Sequence, residues 1–204
     1  MIRSDQNGDL LTITIDRPEK AGALTAAMLT ELADIVGSAR TAKALILTGT
    51  GRVFSAGADL DAARAGLATD PVWERLSGAI ANFPGLSIAA LNGTVAGGAM
   101  GMVLSCDLRI AVPDARFFYP VMKLGFLPQP SDPMRMTALI GPARAKMILM
   151  AGQKIGAEEA LQWGLIDRVV LDEALLTSAR ALCADLMQAA PDHIAAIKNM
   201  VPPL

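Results

Sequence analysis

The chain is expected to fold as one α/β domain around a largely buried sheet. Three observations carry that expectation. Segments of strand length alternate with segments of helical period from Leu10 to Val170, the order that gives layered α/β packing. A short apolar run at Ala44–Thr48 and another ending at Leu91 have the composition of strands covered on both faces. Hydrophobic residues make up 52% of the 204 positions and the mean hydropathy is +0.41, enough apolar surface to build a core. No repeat, linker or low-complexity stretch divides the chain. Residues 1–204 are therefore read as a single domain, with a core to about residue 170 and a helical segment over 171–204.

Taken in order, Asn7-Gly8 is a hairpin signal, and Leu10–Ile15, rich in β-branched residues, is the strand after it. Arg17–Ala23 is a loop. Thr25 can cap a helix running to about Ala39, with Leu29, Leu32, Ala33 and Val36 on one face. The strand at Ala44–Thr48 ends in the turn Gly49-Thr50-Gly51. Val53–Leu60 is a tight, small-residue segment that opens a helix, and Asp70-Pro71 starts another to about Phe83. At the centre, a strand ends at Leu91, Asn92-Gly93 turns the chain, and a helix begins near Gly97-Gly98. Leu108–Val112 is a strand, and Phe117–Pro130 is an irregular stretch, broken by prolines, that exposes apolar side chains. Pro133 suits the first turn of a helix with Ser131 or Asp132 as its cap, and Gly141-Pro142 interrupts that helix before it resumes to Met150. Gly156–Trp163 is helical, Leu165–Val170 is a strand, and two helices close the chain.

Composition removes several function classes. A net charge of −2 with no Lys/Arg run argues against a nucleic-acid partner. Cys106 and Cys183 lack metal-ligand spacing, and the absence of a cationic-then-apolar leader fits a reduced, cytoplasmic protein. The single histidine, His193, leaves no His-based triad, and no metal site is expected. Leu86–Cys106 carries no charge, and Gly93, Gly97 and Gly101 fall at GxxxG spacing, so a membrane span of about 20 residues has to be weighed. Asn92-Gly93 in its middle, with Asp107 and Arg109 directly after it, favours a buried strand, turn and helix, and no membrane partner.

Several familiar motifs fail. Gly49-Thr50-Gly51 has Phe54 where a dinucleotide fingerprint needs its third glycine, and no phosphate loop is present. Ser55 lacks the flanking glycine of a nucleophile elbow. Two bends of small residues remain: Ser55-Ala56-Gly57-Ala58-Asp59-Leu60 and the helix start at Gly97-Gly98. Each follows a strand, and each offers backbone N–H groups with no side chain in the way. On neighbouring strands, the two would converge on one carbonyl oxygen and stabilise an oxyanion.

These residues, with others in the same order, resemble the crotonase (enoyl-CoA hydratase/isomerase) superfamily. The similarity runs through Arg17-Pro18-Glu19, Ala23-Leu24, Phe54–Leu60, Asn92-Gly93, Ala96-Gly97-Gly98, Cys106–Ala111, Leu124-Gly125-Phe126 with Pro128, Gly152, Glu158-Glu159-Ala160 and Gly164–Asp167. The resemblance implies an α/β spiral of ββα units with C-terminal helices, assembled as a homotrimer or as a hexamer of two trimers. It implies an acyl-CoA thioester as ligand, with coenzyme A part of the substrate and no tightly bound cofactor. Ala58 and Gly98 would supply the oxyanion-hole N–H groups. Lys20, Ala21, Ala23, Ala56, Asp59, Leu60 and Gly97 would line the CoA path, Asp59 also capping a helix, and Asp107 would be a buried structural carboxylate.

Two departures qualify the resemblance. Alignment on Cys106-Asp107 puts the first hydratase glutamate position at Gly101, and alignment on Pro120 and Gly125 puts the second at Val121. Neither residue moves a proton, and such groups contribute about 10²–10⁴ each in rate. Isomerisation, decarboxylation or another enolate chemistry is expected ahead of hydration, with a non-catalytic acyl-CoA binder as the alternative. Asp132, after a loop that borders the acyl pocket, is a candidate base as well as a candidate cap, and Tyr119 is a candidate proton donor. Met100, Met102, Met122, Met134 and Met136 are core residues or an acyl-tunnel lining. The chain is also short at its C-terminus for this family, which implies a more open pocket or one closed by a neighbouring subunit.

Overall fold

The structure, a computed structural model, describes residues 1–201, so the last three residues of the expected helical segment lie outside the described residues. The chain begins with the hairpin β1 (Ile2–Asn7) and β2 (Leu10–Ile15), followed by α1 (Ala26–Ser38), β3 (Ala44–Gly49), β4 (Val53–Ser55), α2 (Leu60–Arg64) and α3 (Val72–Ala81). Then come β5 (Leu86–Leu91), β6 (Thr94–Ala96), α4 (Ala99–Ser105), β7 (Leu108–Ala111), β8 (Arg116–Phe118), α5 (Val121–Leu124) and α6 (Asp132–Leu149). The remainder is β9 (Ile155–Gly156), α7 (Ala157–Trp163), β10 (Arg168–Val169), α8 (Leu175–Ala181), α9 (Ala184–Gln188) and α10 (Pro191–Met200).

Two sheets form, in the orders β1-β2-β3-β5-β7-β10 and β4-β6-β8-β9. The ladders β2-β3-β5-β7 and β4-β6-β8 are parallel. Three times in succession a strand of the large sheet is followed by a strand of the small sheet and then a helix: β3-β4-α2, β5-β6-α4 and β7-β8-α5. This is the expected spiral of ββα units. The expected α1 face is buried, Met28 joining Leu29, Leu32, Ala33 and Val36, and each large aliphatic side chain so buried stabilises by about 1.5–3 kcal/mol.

The structure corrects the sequence reading at several points. The small sheet was not anticipated, because β6, β8 and β9 are two or three residues long and too short to show alternation. The expected strand Leu165–Val170 shrinks to Arg168–Val169, since Leu165 and Ile166 are fixed in the turn after Gly164, donating to Ala160 O. Three helices rather than two close the described chain. Asp107 is not fully buried, its side chain retaining 30% exposure. Leu86–Cys106, by contrast, is the expected strand, turn and helix with the short β6 added between turn and helix, and among the described residues no helix is long and apolar enough to cross a membrane.

Candidate active site

Because β4, β6 and β8 are parallel neighbours, the segments leaving their carboxyl ends emerge on one side of the small sheet. That edge is where open α/β sheets place ligands. The three segments are Ala56–Asp59, Gly97-Gly98 and Tyr119–Val121, and together they line a cavity of about 240 Å³. Trp73, Leu60, Ala63, Ala68, Leu124, Phe126, Leu127 and Gln129 complete its wall. A larger cavity of about 440 Å³ lies beneath α10, against α4, β7 and α6, and contains none of the three segments.

The first bend is stitched to the Arg17–Ala23 loop. Ala56 N–H donates to Ala21 O at 2.9 Å, and Ser55 Oγ donates to Gly22 O at 2.8 Å while accepting from Gly57 N–H at 3.2 Å. Arg17 Nη1 donates to Ala23 O at 2.9 Å and to Asp59 Oδ2 at 3.0 Å. Leu24 and Ala58 form a parallel bridge in which Leu24 N–H donates to Gly57 O and Asp59 N–H to Leu24 O. Chain groups alternate in direction along an extended segment, so the N–H of Ala58 points away from Leu24.

The second bend approaches the first closely. A Cβ built on Gly57 would stand 2.8 Å from Ala96 O and 3.3 Å from Gly98 N. A Cβ on Gly98 would stand 3.1 Å from three atoms of the Trp73 ring, so the helix start tolerates only glycine without displacement. Trp73 is itself fixed, its indole N–H donating to Leu67 O at 2.8 Å. Among the described residues, the N–H groups of Ala58 and Gly98 donate to no protein acceptor. Two unspent amides therefore border one apolar cavity, where a developing oxyanion gains most from donors already in place.

The third segment brings a titratable side chain, Tyr119, to the cavity wall. Tyr119 Oη donates to Asp132 Oδ2 at 2.9 Å and accepts from Gln129 N–H at 3.2 Å. Asp132 is fully buried, and its Oδ1 has no hydrogen-bond partner among the described residues. Burial pushes the Asp132 carboxyl up to about 7; the Tyr119 hydroxyl and Arg135 pull it down, and Glu74 pushes it further up. Burial, with Asp132 next to it, also raises the Tyr119 phenol above its ordinary value. Ser131 stands at the cap position, but the capping bond is not made, because neither its side chain nor that of Asp132 accepts from a backbone N–H of the first turn of α6. Asp132 faces inward to Tyr119 instead.

Of the residues singled out from the sequence, Ala56, Ala58, Leu60, Gly97, Gly98, Tyr119 and Val121 meet in this cavity. Lys20, Ala21 and Ala23 lie outside it, on the adjoining loop, and Asp59 caps α2, accepting from Asp61 N–H at 3.2 Å. Gly101 is buried on α4 against Asp132. The methionine tunnel is not found: Met100, Met102 and Met136 are core, Met122 and Met134 are exposed, and none lines the cavity. Trp73 was missed, since a lone aromatic on a helix carries no sequence signal of a site, whereas Leu127 and Gln129 lie in the loop before Asp132 that was expected to border the acyl pocket.

Comparison with known proteins bears on the family and the fold. The family model described as enoyl-CoA hydratase/isomerase matches residues 5–202. Carnitinyl-CoA dehydratase of Citrobacter koseri is 38% identical over 208 residues, spanning 96% of this chain and 77% of its own, and that of Escherichia coli K12 is 37% identical over the same shares. An enoyl-CoA hydratase structure from Bacillus anthracis superposes with a TM-score of 0.90 at 29% identity, covering 98% of this chain and 81% of that one. One from Mycobacterium marinum gives 0.88 at 30% identity, covering 98% of each chain. By its ordered motifs, its ββα spiral and these similarities, the chain belongs to the enoyl-CoA hydratase/isomerase family of the crotonase superfamily.

Proposed function

We propose that this protein binds the acyl end of a coenzyme A thioester in the cavity between β4, β6 and β8, and stabilises the thioester enolate there. The observation that carries this reading is the pair of unspent N–H groups, on Ala58 and Gly98, bordering one apolar cavity. A thioester oxygen held by both would gain charge as the enolate forms, and losing one such donor costs about 10²–10³ in rate. The names of the relatives, a carnitinyl-CoA dehydratase and enoyl-CoA hydratases, support CoA esters as the substrate class. The nucleotide and pantetheine then follow Lys20–Ala23 and Ala56–Leu60, segments already joined through Ala21 O and Ala56 N–H. At about 240 Å³ the cavity is smaller than the ~300–1,000 Å³ of drug-sized sites, which suits a short acyl group.

The reaction we favour is proton movement at carbons beside the thioester, as in double-bond migration, rather than water addition by two glutamates. No carboxylate is among the lining residues, and Gly101 and Val121 carry no proton. The same observation favours a second reading, a non-catalytic acyl-CoA binder. A panel of enoyl-, dienoyl- and malonyl-type CoA thioesters, followed for turnover beside calorimetric binding, separates the two. Conversion of at least one thioester is expected; tight binding without conversion of any selects the binder, and no binding defeats both. Assembly as a homotrimer or a dimer of trimers completes the proposal. Light scattering that returned a monomer would overturn that part.

A further inference from the structure

Among the residues lining the cavity, Tyr119 is the one whose side chain gives and takes protons. Its hydroxyl is held from two sides, by Asp132 Oδ2 and by the Gln129 N–H. Asp132 reaches it from another element, the start of α6, and its second oxygen is turned toward α4. There Oδ1 lies 2.9 Å from the place a Cβ on Gly101 would occupy, and among the described residues it has no partner. A fully buried carboxyl with an unmade hydrogen bond is costly, and no helix cap offsets that cost here. Two further charged groups face it. Glu74 of α3 accepts from Ser131 N–H and Oγ at 3.1 and 2.9 Å, and Arg135, one turn along α6, donates to Ser131 Oγ at 2.7 Å.

We propose that Tyr119 and Asp132 are the proton-transfer pair of this site, and that Gly101 is the gap in α4 that admits the Asp132 carboxyl. This rests on the CoA-thioester reading above. Tyr119 is the catalytic residue, and Asp132 and Gly101 are positioning residues. Tyr119 Oη takes the proton from the α-carbon as its own phenolic proton passes to Asp132 Oδ2. The C–H electron pair becomes the enolate C=C bond, and the carbonyl pair moves onto the oxygen facing the Ala58 and Gly98 amides. Asp132 is left as the neutral acid. The reverse transfer returns a proton to the α-carbon or, in an unsaturated chain, to the γ-carbon, and no other reactant is consumed. A phenol alone is too weak a base near neutrality, whereas a carboxyl that titrates near 7 is matched to the task.

The test is exchange of α-protons of butyryl-CoA in D2O, followed by mass spectrometry, beside calorimetric binding of the same thioester. Wild type is expected to exchange with a rate that rises through about pH 7. Tyr119→Phe should lose about a hundredfold or more with binding within threefold. Asp132→Asn and Gly101→Ala should each lose tenfold or more and flatten the rise near pH 7, which a purely structural defect would not do. Exchange by Tyr119→Phe within threefold of wild type overturns the pair, as does an Asp132→Asn profile that keeps its inflection. Wild type that binds butyryl-CoA without exchange overturns the inference and leaves a binding site. Wild type that does not bind it overturns the CoA reading itself.

Discussion

Gly98 and Asp132 show how one residue's surroundings decide what it does. At Gly98 a methyl group would press on the Trp73 ring at 3.1 Å, and the ring is anchored through its indole N–H, so the helix start must move instead. Gly98→Ala is expected to lower the rate by about 10²–10³ through a misplaced donor, with thioester binding measured alongside; an unchanged rate would remove Gly98 from the site. Gly37, on α1 with nothing within 4 Å of its would-be Cβ, is the contrast, and Gly37→Ala should stabilise by about 0.5–1 kcal/mol in thermal denaturation. Asp132 ties stability to pH. Its carboxyl titrates near 7 when folded and near ~3.9 when unfolded, so between those values the folded state keeps a proton that the unfolded state has released. Stability therefore falls as pH rises through that window, by on the order of 4 kcal/mol once both states are ionised. Asp132→Asn should melt above wild type by more at pH 8 than at pH 5, where roughly a third of that loss has built up. An equal gap at both pH values would show that another group titrates.

At the scale of elements, some of the fold declares itself in local chemistry and some does not. The start of α1 is legible because Thr25 accepts from Met28 N–H at 3.3 Å, a short-range bond that its sequence position announces. Thr25→Ala should cost about 1 kcal/mol, read as a shift in the denaturation midpoint. The bends at Ala56–Asp59 and Gly97-Gly98 are legible for the same reason, since runs of small residues mark bare backbone. The strands that bring those bends together are not. β6 and β8 hold their places through parallel pairing with each other and with β4, a long-range property that three residues cannot encode. The Tyr119–Asp132 bond is hidden likewise: it spans 13 residues of chain whose one regular element is the single turn of α5, and Asp132 before a helix reads as a cap until the position of Gly101 is known. Gly101 itself, read as a lost glutamate position, stands against a carboxylate supplied by a different element.

At the scale of the molecule, the cavity is built from the ββα spiral alone. None of its lining residues comes from α8, α9 or α10. Helix α10 is instead tied to the residues that lead into β5 and β7. Asp107 Oδ2 accepts from Ser87 N–H at 2.8 Å, Ser87 Oγ at 2.9 Å and Lys198 Nζ at 2.7 Å, and Lys198 also donates to Gly85 O at 2.9 Å. The Lys198 ammonium further lies 6.0 Å from the Phe83 ring centroid. One side chain thus fastens the final described helix to the residues just ahead of β5 and β7, while Asp107 keeps its bonds to Ser87 when that lysine is removed. Lys198→Ala is accordingly expected to cost about 1–2 kcal/mol, the worth of a partly buried, charge-assisted contact. The loosening should be local, because α10 buries only Ile194 and helices with few buried contacts open ahead of the core. Limited proteolysis of the variant should cut first within residues 190–200, with butyryl-CoA binding within threefold of wild type. Binding lost together with the helix would mean that the C-terminal segment holds the cavity in shape, and that the spiral is not sufficient by itself.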